Sequence, residues 1–217
     1  MTLFHKTASM KLFDIHTHRN GADGEYSIYN CREYVEGRNI SIGIHPWEIN
    51  DRWKELFATI KNESKSKNVC AIGECGIDKL KSPANIEKQI EVFKAHALLA
   101  EEIQKPLIIH CVKGFDEIIA IYREVLPKQA WIVHGFRGKP QQAEQLIKEG
   151  FYISFGEKFN INSLKAVPME KLFIESDESK TSINDIYTLI AEARGCSVEK
   201  LALAVMQNVE KVSVHTI

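Results

Sequence analysis

The sequence predicts an α/β protein, a TIM (β/α)8 barrel that has a degenerate eighth strand, or else a seven-stranded relative of that barrel. Short β-branched runs alternate with longer segments of helical period, the pattern of βα units around a parallel sheet. Most of these runs are apolar on both faces, as covered parallel strands require. Residues that could carry chemistry end almost every strand. This distribution favours a barrel. In an open doubly wound sheet, the functional residues would instead gather at the one point where the strand order reverses.

Seven strands can be read along the chain. Their predicted ranges are 11–18, 40–46, 68–77, 106–112, 130–136, 151–156 and 171–178. An eighth strand should follow the seventh, but nothing after Asp177 has a strand pattern. We therefore expect the eighth strand to be degenerate or absent.

The segments between and after the strands have helical spacing. One apolar face runs through residues 86–100, and a shorter one precedes Gly150. A further face covers 183–191, and Ser197 is predicted to cap a last helix over 197–212. Two helices are therefore predicted to end the chain.

Length and composition predict one domain over residues 1–217, with residues 1–10 as a loose extension. The chain has 217 residues, of which 44% are hydrophobic and 26% charged, as in ordinary soluble globular proteins. The net charge of -1 excludes a protein that coats nucleic acid through overall charge, but leaves room for a local basic rim.

The cysteines and the N-terminus favour a cytoplasmic protein. The five cysteines are odd in number, scattered and without a CxxC pair, which suits free thiols in a reducing compartment and excludes a zinc ribbon. The first residues lack a signal peptide, and no apolar run approaches the ~18 residues of a membrane span. We expect no membrane association, and nothing indicates an obligate protein partner.

Histidines are concentrated where strands end. Five of the eight finish predicted strands: His16, His18, His45, His110 and His134. In a barrel the carboxyl ends of the strands converge on one bowl, and His16 and His18, two apart on a strand, point to the same side. The HxH pair alone is weak support for a metal site, and His110 and His134 could each simply bind a backbone carbonyl. The other three, His5, His96 and His215, are expected to be structural or solvated.

Two carboxylates join this set. Glu74 lies between Gly73 and Gly76, where a carboxylate is costly to desolvate unless it is paired with a base or bound to a cation. Asp177 ends the seventh strand and is favoured over Glu175 because it lies nearer the rim. Together these two carboxylates and four of the histidines form a mixed nitrogen and oxygen ligand set that suits Zn, Mn or Mg. The four histidines are His16, His18, His110 and His134.

Six segments resemble, in order, the motifs of the TatD-type metal-dependent hydrolases and deoxyribonucleases. They are "FDIHTH", "GIHPW", "AIGECGID", "KPLIIHC", "VHGFRG" and "FIESD", and the resemblance runs from about residue 11 to residue 212. The ordered combination is far more specific than any single motif.

The resemblance implies a TIM-barrel phosphodiesterase with two divalent ions, acting on a phosphodiester such as the end of single-stranded DNA. One ion would take His16, His18 and Asp177, the other His110 and His134, with Glu74 between them. A water or hydroxide held by the ions would attack phosphorus. By the same resemblance Asp177 is the base, His45 contacts the phosphate, and Asp14 orients its histidine neighbours.

The sequence departs from the family pattern around the substrate. The arginine that often follows the fourth-strand histidine is missing, Arg137 stands where the motif has serine, and Gly135 stands where it has cysteine. Lys113 and Arg137 each follow a ligand histidine by three positions, and Arg19 follows His18. Our hypothesis is that these three bases supply positive charge to a phosphate; the alternative is that they are ordinary exposed bases.

Three other functions remain open on sequence alone. "DIHTHRNGADG" also resembles the opening motif of PHP-type phosphoesterases, which need further histidines for a third ion. A small-molecule amidohydrolase would use similar chemistry, although no lysine ends the fourth strand for carbamylation. The third alternative is a barrel that binds metal without turnover.

Overall fold

The computed structural model describes residues 11–19, 26–212 and 214. Three features of the sequence interpretation lie outside these ranges: the extension over residues 1–10, the histidines at 5 and 215, and the Asp-Gly pair at 23–24 of the PHP-like motif. Among the described residues, no helix is both long and apolar enough to cross a bilayer.

Eight parallel strands form one sheet in chain order. They are β1 (Asp14–Thr17), β2 (Ser27–Cys31), β3 (Ile40–Ile42), β4 (Val69–Asp78), β5 (Leu107–Val112), β6 (Trp131–Val133), β7 (Tyr152–Phe155) and β8 (Leu172–Ile174). A parallel bridge between Thr17 and Asp177 brings the end of β8 back to β1. The predicted TIM barrel is confirmed.

Helices cover the barrel wherever the sequence has an amphipathic segment. They are α1 (Trp53–Glu63), α2 (Ile86–Ile103), α3 (Phe115–Val125), α4 (Pro140–Glu149), α5 (Ile161–Ala166), α6 (Ile183–Arg194) and α7 (Val198–Lys211). The predicted faces lie on α2, α4 and α6. Ser197 caps α7 as predicted, since its side chain accepts a hydrogen bond from the backbone N–H of Lys200.

The sequence interpretation read seven of the eight strands and missed one. The additional strand is β2, which pairs with β1 and β3, and it does not follow Asp177. "SIYNC" is short, and only its first two residues are buried, so it lacks the apolar pattern of the other strands. Its polar Asn30 contacts β4, since the side-chain oxygen accepts a hydrogen bond of 2.8 Å from the backbone N–H of Glu74.

The core fills the barrel and the layer between strands and helices. All ten residues of β4 are buried, and the ring of Phe93 on α2 packs edge-on against Trp131 of β6 at 5.4 Å between centroids. Because all eight strands run in the same direction, their carboxyl ends open on one face. The polar strand ends of the sequence meet there.

Candidate metal centre

The predicted ligands meet around one cavity at the carboxyl ends of the strands. The cavity measures about 240 Å³ and is lined by five of the predicted ligands and by His45. These lining residues are His18, His45, Glu74, His110, His134 and Asp177. His16, the sixth predicted ligand, is completely buried and contacts Glu74 beneath them.

Glu74 lies at the centre of the cluster. Its Oε2 is 3.4 Å from Nε2 of both His16 and His18, and its Oε1 is 2.8 Å from Nδ1 of His110 and from Nε2 of His134. The two oxygens therefore face two different histidine pairs. This is the geometry that a bridging carboxylate needs.

Three groups of potential ligand atoms each lie within 4.8 Å of one another. They are His16 with His134 and Asp177; His16 with His18 and Glu74; and His45 with Glu74 and His110. His45, predicted only as a phosphate contact, has its Nε2 3.1 Å from Glu74 Oε1 and 3.2 Å from His110 Nδ1. It therefore stands at ligand distance in the third group.

The donor set fits a divalent cation. His16 is fully buried, and neither of its ring nitrogens has a hydrogen-bond partner within the described chain. Burial lowers the pKa of His16, so the imidazole is neutral and its lone pair is available. Burial acts to raise the pKa of Glu74, but His134 and the other nearby histidines outweigh it and hold that pKa well below its usual value. An ionised carboxylate beside an unpartnered neutral imidazole is a good cation ligand pair.

Asp177 is held in place by its backbone. Its N–H donates to the carbonyl of His16 at 2.9 Å, and its carbonyl accepts from the N–H of His18 at 3.1 Å. Its φ of 51° is left-handed, a conformation that Asp and Asn tolerate better than most residues. Its Oδ1 lies 3.8 Å from His16 Nε2 and 3.7 Å from His18 Nε2.

Glu175, the competitor of Asp177 in the sequence interpretation, faces another side of the site. It is fully buried, and its Oε1 lies 3.5 Å from Nδ1 of His134, the nitrogen that points away from Glu74. Desolvation raises the pKa of Glu175, but His134 outweighs it and lowers the pKa overall. The ring of His134 thus lies between two carboxylates, 2.8 Å from Glu74 and 3.5 Å from Glu175.

Asp14 contacts the backbone of its neighbours His16 and Ser176. Its Oδ1 accepts from the N–H of Ser176 at 2.9 Å and from the N–H of His16 at 3.4 Å, and its Oδ2 accepts from the Ser176 hydroxyl at 2.6 Å. Burial raises the pKa of Asp14 to about 7. The residue ties β1 to the segment that carries Asp177.

The comparison with known proteins agrees with this geometry. Residues 17–213 match the model of the family described as TatD related DNase. The chain belongs to this family. The predicted resemblance to the TatD family is therefore confirmed.

Named relatives are 26–29% identical to this TatD family member over the aligned residues. The 3'-5' ssDNA/RNA exonuclease TatD of Erwinia tasmaniensis is 26% identical over 171 residues, which cover 74% of this chain and 66% of the relative. The uncharacterized metal-dependent hydrolase YabD of Bacillus subtilis is 29% identical over 195 residues, 79% of this chain and 76% of the relative. The chain thus spans about two thirds to three quarters of these relatives.

Solved structures of TatD proteins share the fold. YjjV, a TatD homolog from Escherichia coli K12, superposes with a TM-score of 0.79 at 18% identity, covering 94% of this chain and 98% of YjjV. A TatD family hydrolase from Entamoeba histolytica gives a TM-score of 0.74 at 16% identity, covering 94% and 99%. At these identities the likeness concerns the barrel alone.

The three predicted bases of this TatD protein lie in different places. Lys113 and Arg137 are exposed and line a groove of about 510 Å³ that adjoins the metal-site cavity. Arg19 donates from its guanidinium to the carbonyl of Thr181 at 3.0 Å instead. Arg32, which sequence reasoning missed, lines the cavity and pairs with Glu48.

Sequence reasoning also missed Asp78 and Trp47. Asp78 Oδ2 accepts from the indole Nε1–H of Trp47 at 2.6 Å and lies 3.3 Å from Nε2 of His110. The available signal was a second carboxylate at the end of "AIGECGID", four residues after Glu74. Asp78 contacts Nε2 of His110, whereas Glu74 contacts Nδ1 on the other side of the ring.

Proposed function

We propose that this protein is a divalent-metal-dependent phosphodiesterase that hydrolyses nucleic acid, with the ends of single-stranded DNA as its substrate. The observation that carries the proposal is Glu74, whose two oxygens face separate pairs of histidines. A relative of the same family is named a 3'-5' ssDNA/RNA exonuclease, which supports this substrate class.

We propose two bound ions of the Zn, Mn or Mg kind, held by His16, His18, His110, His134 and Asp177, with Glu74 shared between them. Such ions would supply a lowered pKa for a coordinated water and positive charge opposite the leaving oxygen. The protein is also proposed to be cytoplasmic, which accords with its five free cysteines.

The side chains divide the remaining work. Asp177 is the acceptor for the proton of the attacking water, because it is the most exposed of the carboxylates at the centre, with 26% of its side chain accessible. His45 is 17% exposed in the cavity wall and binds a phosphate oxygen. Lys113 and Arg137 stabilise the charge of a neighbouring phosphate from the adjoining groove.

The decisive experiment is a substrate screen with metal-reconstituted protein. Apo protein would be loaded with Zn, Mn or Mg and assayed on single-stranded DNA, RNA, small phosphodiesters, lactones and amides. We expect hydrolysis of phosphodiesters, fastest on single-stranded DNA, and two ions per chain by elemental analysis. Turnover of lactones or amides alone would point to an amidohydrolase, and three ions would point to a PHP-type enzyme.

Asp177→Asn tests the proton acceptor. Asn keeps the shape and tolerates the left-handed φ, so the fold should persist while hydrolysis falls by roughly 10²- to 10⁴-fold. Glu192→Gln, an exposed carboxylate on α6, is the matched control and should retain full activity. A folded and fully active Asp177→Asn variant would contradict this role.

A double variant, Lys113→Ala with Arg137→Ala, tests the two basic residues of the groove. Full activity of the metal-loaded double variant would show that Lys113 and Arg137 do not stabilise a substrate phosphate.

A further inference from the structure

The groove beside the metal centre has an aromatic and apolar wall with basic residues on its edge. It shares His110, His134 and Asp177 with the site, so the two spaces are continuous. Trp47, Leu80, Phe115 and Phe136 supply aromatic and aliphatic surface, and Lys81, Lys113 and Arg137 supply positive charge. The basic residues could bind a phosphate, but the aromatic and aliphatic surface would not contribute to phosphate binding.

Trp47 is the most unusual member of this wall. Its side chain is 44% exposed although it stands beside the centre, with its ring centroid 4.7 Å from that of His45 and 5.9 Å from that of His110. Tryptophan combines a large flat apolar surface with a polar N–H, which is why it is enriched at interfaces. It lines both the cavity and the groove.

The indole is also fixed in orientation. Its Nε1–H donates to Asp78 Oδ2 at 2.6 Å, and Asp78 is itself held by the backbone N–H groups of Leu80 and Lys81 at 2.9 and 3.0 Å. A platform that is already rigid loses little conformational entropy when a planar ligand stacks on it. The ammonium of exposed Lys81 lies 4.6 Å from the ring centroid, so a cation already contacts the indole.

We infer that this groove is a nucleobase subsite, in which the base next to the scissile phosphate stacks on Trp47. The stacked base takes the place of the Lys81 ammonium, which then pairs with an adjacent phosphate. Stacking on an indole is tolerant of sequence because every base has a π-face. The inference rests on the proposed function, whose substrate it specifies as a strand with unpaired bases.

Binding can be measured without turnover. Trp47 is exposed, whereas Trp53 and Trp131 are 7% and 1% exposed, so quenching of tryptophan fluorescence by a ligand in the groove reports chiefly on Trp47. We expect deoxyadenosine 5'-monophosphate to bind at least tenfold more tightly than deoxyribose 5-phosphate, which lacks the base. Variants without Trp47 lack this fluorescence signal. For them, the affinities of the two ligands are compared by competition with a fluorescent oligonucleotide.

Trp47→Ala should abolish the preference for the base, while Trp47→Phe should keep most of it. Trp53→Phe, which alters a tryptophan on α1 outside the groove, is the control and should leave it unchanged. On single-stranded DNA, Trp47→Ala should raise KM by ~5- to 150-fold with little change in kcat. On a strand of the same sequence that carries abasic residues on both sides of the cleaved bond, Trp47→Ala should change KM little.

Two results would overturn the subsite: equal affinity of the wild-type protein for the two ligands, or a Trp47→Ala variant that keeps the preference. An equal rise in KM on normal and abasic strands would show that Trp47 has only a structural role, and would also overturn it. Failure of the proposed function is distinguishable, since a protein that prefers the base but cleaves no phosphodiester would retain the subsite and lose the nuclease assignment.

Discussion

At the residue scale, the site depends on carboxylates that stand behind its histidines. His134 presents Nε2 to Glu74 at 2.8 Å while its Nδ1 faces Glu175 at 3.5 Å, and His110 presents Nδ1 to Glu74 while its Nε2 faces Asp78. A carboxylate on the far nitrogen fixes the tautomer and the ring orientation of a histidine ligand. We therefore propose that Glu175 and Asp78 orient the two rings toward the proposed cation.

Glu175→Gln tests this preparation. The amide keeps the volume but carries no charge, so His134 loses the partner that stabilises its Nδ1–H. We expect affinity for Zn or Mn to fall about 10- to 100-fold in calorimetric titrations of apo protein. Thermal stability of the apo protein should also fall, because His134 stabilises the charge of Glu175 in the folded state, and removing one partner of a buried pair leaves the other unpaired.

The control for this variant is Glu170→Gln, an exposed glutamate in the turn before β8. It should leave metal affinity unchanged. If Glu175→Gln bound metal as tightly as the wild-type protein, the contact between Glu175 and His134 would have no part in ligand orientation.

At the element scale, glycines set how closely the strands around Glu74 approach one another. A Cβ on Gly43, just after β3, would lie 2.8 Å from the Glu74 carbonyl oxygen and 2.9 Å from the Cα of Gly73. A Cβ on Gly76 would lie 2.0 Å from the carbonyl oxygen of His110. The backbones that carry Glu74 and His110 are thus positioned by contacts that leave no room for a side chain.

Gly43→Ala should therefore displace Glu74. The added methyl group meets backbone atoms that cannot rotate away, so β3 or β4 has to shift. We expect a loss of metal affinity of roughly 10- to 100-fold, since small displacements of a ligand are costly at such centres. Calorimetry on apo protein, with circular dichroism to confirm the fold, measures the effect.

Gly156→Ala is the matched control, because Gly156 follows β7 as Gly43 follows β3. There the nearest atom to an added Cβ is 3.4 Å away, an ordinary contact. This variant should bind metal normally. Equal losses in the two variants would mean that the effect does not come from the close approach of Gly43 to Glu74.

The elements also show what the sequence could reveal. The convergence of the six candidate ligands was predictable because parallel strands of a barrel end on one face, so residues distant in sequence meet there. The strand β2 was missed because it lacks an apolar pattern. Its Asn30 is polar, and the side chain accepts a hydrogen bond from the backbone N–H of Glu74. The roles of Asp78 and Trp47 depend on how the loops after β3 and β4 meet, which no local pattern encodes.

At the scale of the whole molecule, the seam that closes the barrel is also part of the site. Thr17 and Asp177 bridge β1 to the end of β8, Asp14 binds Ser176 across the same seam, and Tyr187 of α6 donates to the Phe13 carbonyl at 2.8 Å. His16 and His18 stand on one side of this seam and Asp177 on the other. Closing the barrel therefore brings together three of the six candidate ligands, His16, His18 and Asp177.

The helical shell supports the site through His96, which was predicted to be structural or solvated and is structural. His96 on α2 is fully buried; its Nε2 accepts from the N–H of Ile44 at 3.0 Å, next to His45, and its Nδ1 lies 2.8 Å from the Val92 carbonyl. Both contacts require the neutral ring with its proton on Nδ1. Burial is the main reason why the pKa of His96 falls to about 4.

This pKa makes the stability of the whole barrel sensitive to acid. The unfolded chain binds a proton at this position below its ordinary pKa of 6.5, whereas the folded protein resists protonation until pH about 4. The contribution of His96 is thus fully present above pH 6.5 and is lost as the pH falls towards 4. The difference in pKa corresponds to about 3 kcal/mol of unfolding free energy.

His96→Gln isolates this contribution. The variant should be less stable than the wild-type protein by about 1–3 kcal/mol at pH 7.5, since buried hydrogen bonds and packing are lost. As the pH falls from 6.5 towards 4, the difference in stability should shift by about 3 kcal/mol in favour of the variant, so that it vanishes or changes sign, because only the wild-type protein loses the contribution of the neutral imidazole. Urea unfolding of both proteins, followed by circular dichroism, measures the gap; other titrating groups affect both proteins alike and cancel. A gap that stays constant between pH 7.5 and 4 would show that His96 does not couple the folding of the barrel to pH.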